Sequence, residues 1–153
     1  MLKTLFNLFR KTDKNSLETL QQRVEQGDAE AMYQLGRFYH IGEMVEADYD
    51  KAMMLYHRAN ALGYPLAANN IGALYDDMGE PEKSVEWFEQ GIRQDDKRAT
   101  INLGRFYLLG IGVGQDTFKG IQMLEKYDDD GLASYLLAQV YDGVIGYEVP
   151  INY

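Results

Sequence analysis

A fourfold recurrence limits this chain more than any other feature. Ala31, Leu35, Gly36 and Tyr39 return as Ala67, Ile71, Gly72 and Tyr75, then as Ala99, Leu103, Gly104 and Tyr107, and last as Ala133, Leu137, Ala138 and Tyr141. The steps are 36, 32 and 34 residues. A period of this size marks a helix pair that cannot bury its apolar face alone and stacks on copies of itself. Within each copy the Leu or Ile lies four residues before the Tyr, so the two share a helix face with the Ala one turn earlier. The small residue between them costs about 1 kcal/mol of helix propensity where it is Gly. Its return at equivalent positions points to close approach of a second helix, and the tyrosine is expected to bury its ring at the junction with its hydroxyl on a polar partner.

The connection between the two helices of a unit repeats as well. Gly42, Val45, Asp48 and Lys51 follow Tyr39 at the offsets at which Gly110, Val113, Asp116 and Lys119 follow Tyr107. The glycine is expected to stop the first (A) helix, the valine to tuck under the turn, and the aspartate to cap the second (B) helix. The second unit is four residues shorter here, with Gly79, Glu80 and Pro81 as a compact turn. B-helix positions align in the same way: Leu55, Trp87 and Met123, then Tyr56, Phe88 and Leu124, then Ala59, Gly91 and Tyr127. Gly63 and Gly131 are expected to end two of these helices, with Asp95 in the corresponding place. Leu17, Leu20 and Val24, finishing at Gly27, read as the tail of a preceding B helix. The expected organisation is an amphipathic segment over 1–15 and a repeat array over 16–153. The array divides into a half-unit 16–26, repeats 27–62, 63–94 and 95–130, and a partial repeat 131–153. The partial repeat leaves an apolar side of its A helix to be covered by the chain end from Val149 to Tyr153, by an oligomer partner, or by sequence beyond a fragment.

Ala31-x3-Leu35-Gly36-x2-Tyr39-x2-Gly42-x2-Val45-x2-Asp48-x2-Lys51-Ala52, followed by Tyr56, Ala59 and Gly63, resembles the Sel-one-like repeat family, relatives of the tetratricopeptide repeats. The third unit matches from Ala99 to Gly131 with Gly120 in place of the alanine. The second departs in its short loop and at Gly91, and the fourth at Ala138 and in its longer loop. The resemblance implies an all-α, right-handed superhelical solenoid of stacked antiparallel helix hairpins whose A helices line a concave groove. Carried over by position, Glu30 belongs to a first column of groove residues. Tyr33, Asn69, Ile101 and Tyr135 form the second, Arg37, Arg105 and Gln139 belong to the third, and His40, Asp76, Leu108 and Asp142 to the fourth. Tyrosines and arginines are frequent binding anchors. A Tyr33→Ala, Arg105→Ala double variant is therefore expected to weaken partner binding and leave melting unchanged.

Chemistry other than binding finds little footing. Gly110-Ile111-Gly112-Val113-Gly114 lacks the later glycine and the preceding strand of a dinucleotide fingerprint. His40 and His57 have no spaced carboxylate motif for a metal. Asp128, Asp129 and Asp130 lack calcium-loop spacing and read as a solvated turn. No cofactor, metal or catalytic residue is expected. Cysteine is absent, which fits a reducing compartment. The net charge of −9 divides into +2 over residues 1–26 and −11 beyond. An acidic body disfavours nucleic acid and favours a basic protein partner. No apolar run is long enough to span a membrane. The first ten residues place Leu2, Leu5, Phe6 and Phe9 on one face, as a capping helix, a docking helix or a peripheral membrane contact over residues 1–12. The expected role is a cytoplasmic, non-catalytic adaptor or scaffold. The resemblance also implies an alternative, a bacterial immunity protein that neutralises a toxin or secreted effector.

Overall fold

A computed structural model describes residues 16–143. Among the described residues are eight α-helices and no strand: α1 (16–25), α2 (Ala29–Ile41), α3 (Tyr49–Ala61), α4 (Ala67–Asp77), α5 (Pro81–Arg93), α6 (Lys97–Leu109), α7 (Thr117–Glu125) and α8 (Gly131–Tyr141). A helices (α2, α4, α6, α8) alternate with B helices (α1, α3, α5, α7). The capping or membrane segment 1–12 and the lid from Val149 to Tyr153 lie outside the described residues. Contacts gather the chain into two compact units, Met1–Leu74 and Tyr75–Tyr153, divided inside α4.

In the first unit α2 packs on α3. Asp28 starts α2 by accepting from the Ala31 amide at 3.1 Å. Gly42 stops it in the left-handed conformation at φ 71°. That geometry lets its amide return to the Phe38 carbonyl at 2.9 Å. Asp48 then caps α3 through the Lys51 amide at 3.0 Å. A Cβ on Gly36 would stand 2.8 Å from Cε1 of Tyr56, so the α2–α3 approach requires the bare backbone. Leu20 and Val24 of α1 are buried, and Gly27 follows at φ 83°.

The second unit repeats this construction with different contents. Val85 and Phe88 of α5 pack with Ala99, Leu103 and Phe106 of α6. The two phenyl rings meet edge to face at 5.3 Å. A second cluster joins Ile101 and Leu108 to Leu124 of α7 and to Ala133, Leu136, Leu137 and Val140 of α8. Gly110 and Asp116 reproduce the stop and the cap of the first unit. Pro81 opens α5, where its missing N–H costs nothing. Gly112 has φ 64°, and a Cβ there would lie 2.5 Å from the Pro81 carbonyl oxygen. The glycine run 110–114 is thus a helix stop followed by close backbone packing.

Gly131 corrects one expectation. It does not end α7; it is the first residue of α8, and α7 stops earlier, at Glu125. The cause is local. Asp130 caps α8 through the Leu132 amide at 3.0 Å and pairs with Lys97 at 3.1 Å, so the next helix starts before a Gly stop is needed. Those bonds, with Lys97 first, hold the Asp130 carboxyl below its ordinary range. Asp95 does behave as its glycine counterpart Gly63 does, with φ 59° against 78°.

Candidate partner-binding surface

The twelve residues assigned to the groove separate by burial into three groups. Tyr33, Asn69, Ile101 and Leu108 are core, none more than 5% exposed. Tyr33 stacks on Tyr64 at 4.8 Å and Tyr56 at 6.0 Å between ring centres. Ile101 and Leu108 belong to the α6–α7–α8 cluster. The column assignment placed these four between core positions, but neighbouring elements cover that flank too: Tyr56 and Tyr64 lie against Tyr33, and α7 and α8 against Ile101 and Leu108. The expectation for the Tyr33→Ala double variant is corrected accordingly: losing this ring costs about 3 kcal/mol or more of stability and cannot leave melting unchanged.

The second group is half-buried and engaged. His40 Nδ1 lies 3.3 Å from the Tyr56 hydroxyl, which also accepts from Asn70 Nδ2 at 3.2 Å. The His40 ring meets Tyr49 and Tyr56 edge-on. Tyr56 is fully buried, and that burial pushes its hydroxyl up to about 12, so the group is a neutral hydrogen-bonding hub. Arg105 and Asp76, assigned separately as an anchor and an acceptor for a basic partner, hold each other at 2.9 Å. Gln139 is half-buried on α8.

Glu30, Arg37, Tyr135 and Asp142 form the exposed group. Glu30 accepts from Gln34 at 3.1 Å and faces Arg23 at 3.4 Å. Arg37 borders a shallow depression with Gln34, Phe38 and Glu43, which the column reading missed. Gln34 and Phe38 lie four apart on the flank of α2 beside Arg37, so helical spacing alone could have grouped them. Tyr135 projects from α8 at 59% exposure.

A second missed feature is the contact between the repeated tyrosine and the lysine twelve or eight residues after it. Lys51 sits over the Tyr39 ring at 5.1 Å, Lys83 over Tyr75 at 5.4 Å and Lys119 over Tyr107 at 4.0 Å. Lys119 Nζ also donates to the Tyr107 hydroxyl at 2.7 Å. These rings are half-buried rather than buried, and Tyr141 of the last unit is exposed. The ring shields the lysine stem while the ammonium stays wet. The signal was a Tyr late in each of three A helices and a Lys early in the B helix that follows.

Among the described residues no group of three or more His, Asp or Glu is placed to hold a metal ion. No described helix is long and apolar enough to cross a membrane.

The repeat geometry has direct counterparts. The Sel1 repeat model matches residues 29–64, 65–96 and 97–126. The chain belongs to the Sel1-repeat family. A Sel1 repeat protein from Oxalobacter formigenes has a solved structure with TM-score 0.72 and 27% identity, over 88% of this chain and 58% of that one. A protective antigen of uropathogenic Escherichia coli strains, described as displaying an SLR fold, gives TM-score 0.73 and 31% identity, over 86% of this chain and 30% of the other. Among curated proteins, chitin synthase regulatory factor 4 of Schizosaccharomyces pombe is 30% identical, over 84% of this chain and 22% of its own length. Alginate biosynthesis protein AlgK of Pseudomonas syringae is 34% identical, over 59% of this chain and 20% of its own. The chain spans about a fifth of the curated relatives it matches. Sel1-repeat proteins are typically protein-interaction or adaptor modules, and this all-α repeat fold is of that kind.

Proposed function

We propose that this Sel1-repeat chain is a non-catalytic module that binds a protein with a basic surface through the exposed flank of its A helices. The observation that carries this reading is the polar, accessible flank of α2: Arg37, Gln34 and Glu43 border a shallow depression with Phe38, beside the His40–Tyr49 pair. Such a surface offers charge, hydrogen bonds and an aromatic floor without an enclosed cavity, as protein interfaces do. In the second unit Tyr135 of α8 and Asp142 just after it are exposed, with the half-buried Gln139 between them in sequence. The net charge of −9 supports a basic partner by steering encounter.

A photo-crosslinking amino acid at position 37, compared with one at position 86 on the outer face of α5, tests the assignment in cells that express the protein. A defined protein adduct at 37 and none at 86 is the expected result. Adducts at 86 alone would move the interface to the B helices, and none at either position would remove the binding role. If the adduct is a toxin or effector, the module acts as its inhibitor. The acidity of the chain favours that second reading to the extent that such a target is basic.

A further inference from the structure

The depression on α2 occupies a place that preceding elements fill in the second unit. Arg37 and Phe38 return two repeat steps later as Arg105 and Phe106. There α4 reaches Arg105 through Asp76 at 2.9 Å, and Phe106 is fully buried against Phe88 of α5. On α2 the same positions stand open. Arg37 is exposed, Phe38 is half-buried, and with Gln34 and Glu43 they line a depression of about 210 Å³. Ile41, a turn further along the same face, is 58% exposed.

We propose that the chain's own amphipathic stretch, residues 1–9, seats its apolar face on this depression and so regulates access of the partner to α2. The proposal rests on the protein-binding reading above and adds the regulation of that same surface. Connection favours this occupant. Arg23 of α1 pairs with Asp28 and Glu30 at the start of α2, and only residues 26–28 separate the two helices, so α1 runs back along α2. The chain that enters α1 therefore arrives beside the end of α2, where Phe38 and Glu43 lie. A segment tethered through residues 10–15 is present at millimolar effective concentration, which a second copy in trans does not reach in dilute solution.

Pattern and charge agree. Leu2, Leu5, Phe6 and Phe9 recur at helical spacing, the apolar stripe that Phe38 and Ile41 call for. Residues 1–15 carry Lys3, Arg10, Lys11 and Lys14 against Asp13 alone, while Glu43 at the rim and Glu46 in the following loop are exposed. The seat is also one that can be vacated. By the repeat spacing Leu8 stands at the place of Asp76, so the Arg105–Asp76 ion pair has no counterpart on Arg37. Met44 stands where the bare Gly112 admits the Pro81 carbonyl, which keeps the turn before α1 from packing as tightly. Apolar contact and diffuse charge hold the segment, and the partner's apparent affinity scales with the fraction of chains in which the seat is empty.

A photo-crosslinking amino acid at position 37 of the purified 153-residue chain reads the seat directly. The expected result is a link within one chain from position 37 to residues 1–12, located by peptide mass spectrometry. Leu5→Asp with Phe6→Asp should abolish the link. Arg10→Glu with Lys11→Glu should weaken it severalfold, and circular dichroism should show unchanged helicity in both variants. If the first variant loses helicity, the second decides. No link to residues 1–12 overturns the proposal, and so does a link found only between chains, which would make a second copy the occupant. In cells, the Leu5→Asp, Phe6→Asp chain should give severalfold more partner adduct at position 37 than the wild-type chain. Equal adduct from both overturns the regulation alone, whereas adduct from neither defeats the binding role and the regulation with it.

Discussion

Met44 and Gly112 occupy the same repeat position, five residues beyond the repeated tyrosine, and both have φ 64°. A side chain in the left-handed region costs roughly 1–2 kcal/mol. Met44 bears that cost in the exposed loop of the first unit, whereas Gly112 avoids it and also admits the Pro81 carbonyl. Gly112→Ala should therefore destabilise by about 2 kcal/mol or more, while Met44→Gly should stabilise by about 0.5–1 kcal/mol. Urea denaturation of the two variants checks both signs. His57 supplies a pH dependence at the same scale. Its half-buried ring is held below the ordinary histidine value by burial. The unfolded chain therefore binds a proton that the folded chain resists, and stability falls as pH drops through about 6.5. His57→Gln should flatten the melting temperature between about pH 7.5 and 5.5, and an unchanged slope would assign the titration to another group.

At the scale of single helices, the starts decide most. Asp28, Asp48, Asp96, Asp116 and Asp130 each accept an amide of the first turn that follows. α5 differs: Glu80 precedes it without a side-chain cap bond and instead pairs with Lys83. Asp116→Ala should cost about 1 kcal/mol, since it strips the cap from a helix of only nine residues. Glu80→Asp should add about 0.5 kcal/mol if the shorter side chain reaches the Lys83 amide as Asp48 reaches Lys51. Thermal melts of the two single variants test this. Helix ends were legible in the sequence because capping is local chemistry. Gly131 was misplaced for the same reason: a glycine that could stop one helix stands directly after an aspartate that starts the next.

For the molecule as a whole, charge sets the prediction. With a net charge of −9, association with a basic partner should slow steeply as salt rises from about 50 to 500 mM, since the screening length shortens several-fold over that range. Stopped-flow rates against ionic strength measure the effect, and a flat dependence would remove the charge argument. The half-exposed Arg105–Asp76 pair contributes little to stability by itself. It does occupy two groups that would otherwise face a partner, and because their charges cancel, the net charge of −9 is carried by the remaining residues.

Period, helix identity, caps and most turn glycines were determined by the sequence alone: the period is a recurrence along the chain, and the others depend on residues within about one helical turn of one another. Repetition reinforced them where the same spacing returns with the same loop chemistry, and misled at Gly131. Which flank residues stay accessible was decided only by tertiary packing. Tyr33 and Tyr135 share a repeat position, yet one lies between Tyr56 and Tyr64 while the other projects from α8. Asp76 and Arg105 stand twenty-nine residues apart, and nothing local pairs them. Burial and ion pairing depend on what lies across the helix interface, and that neighbour is fixed by the stacking of units rather than by the spacing within one.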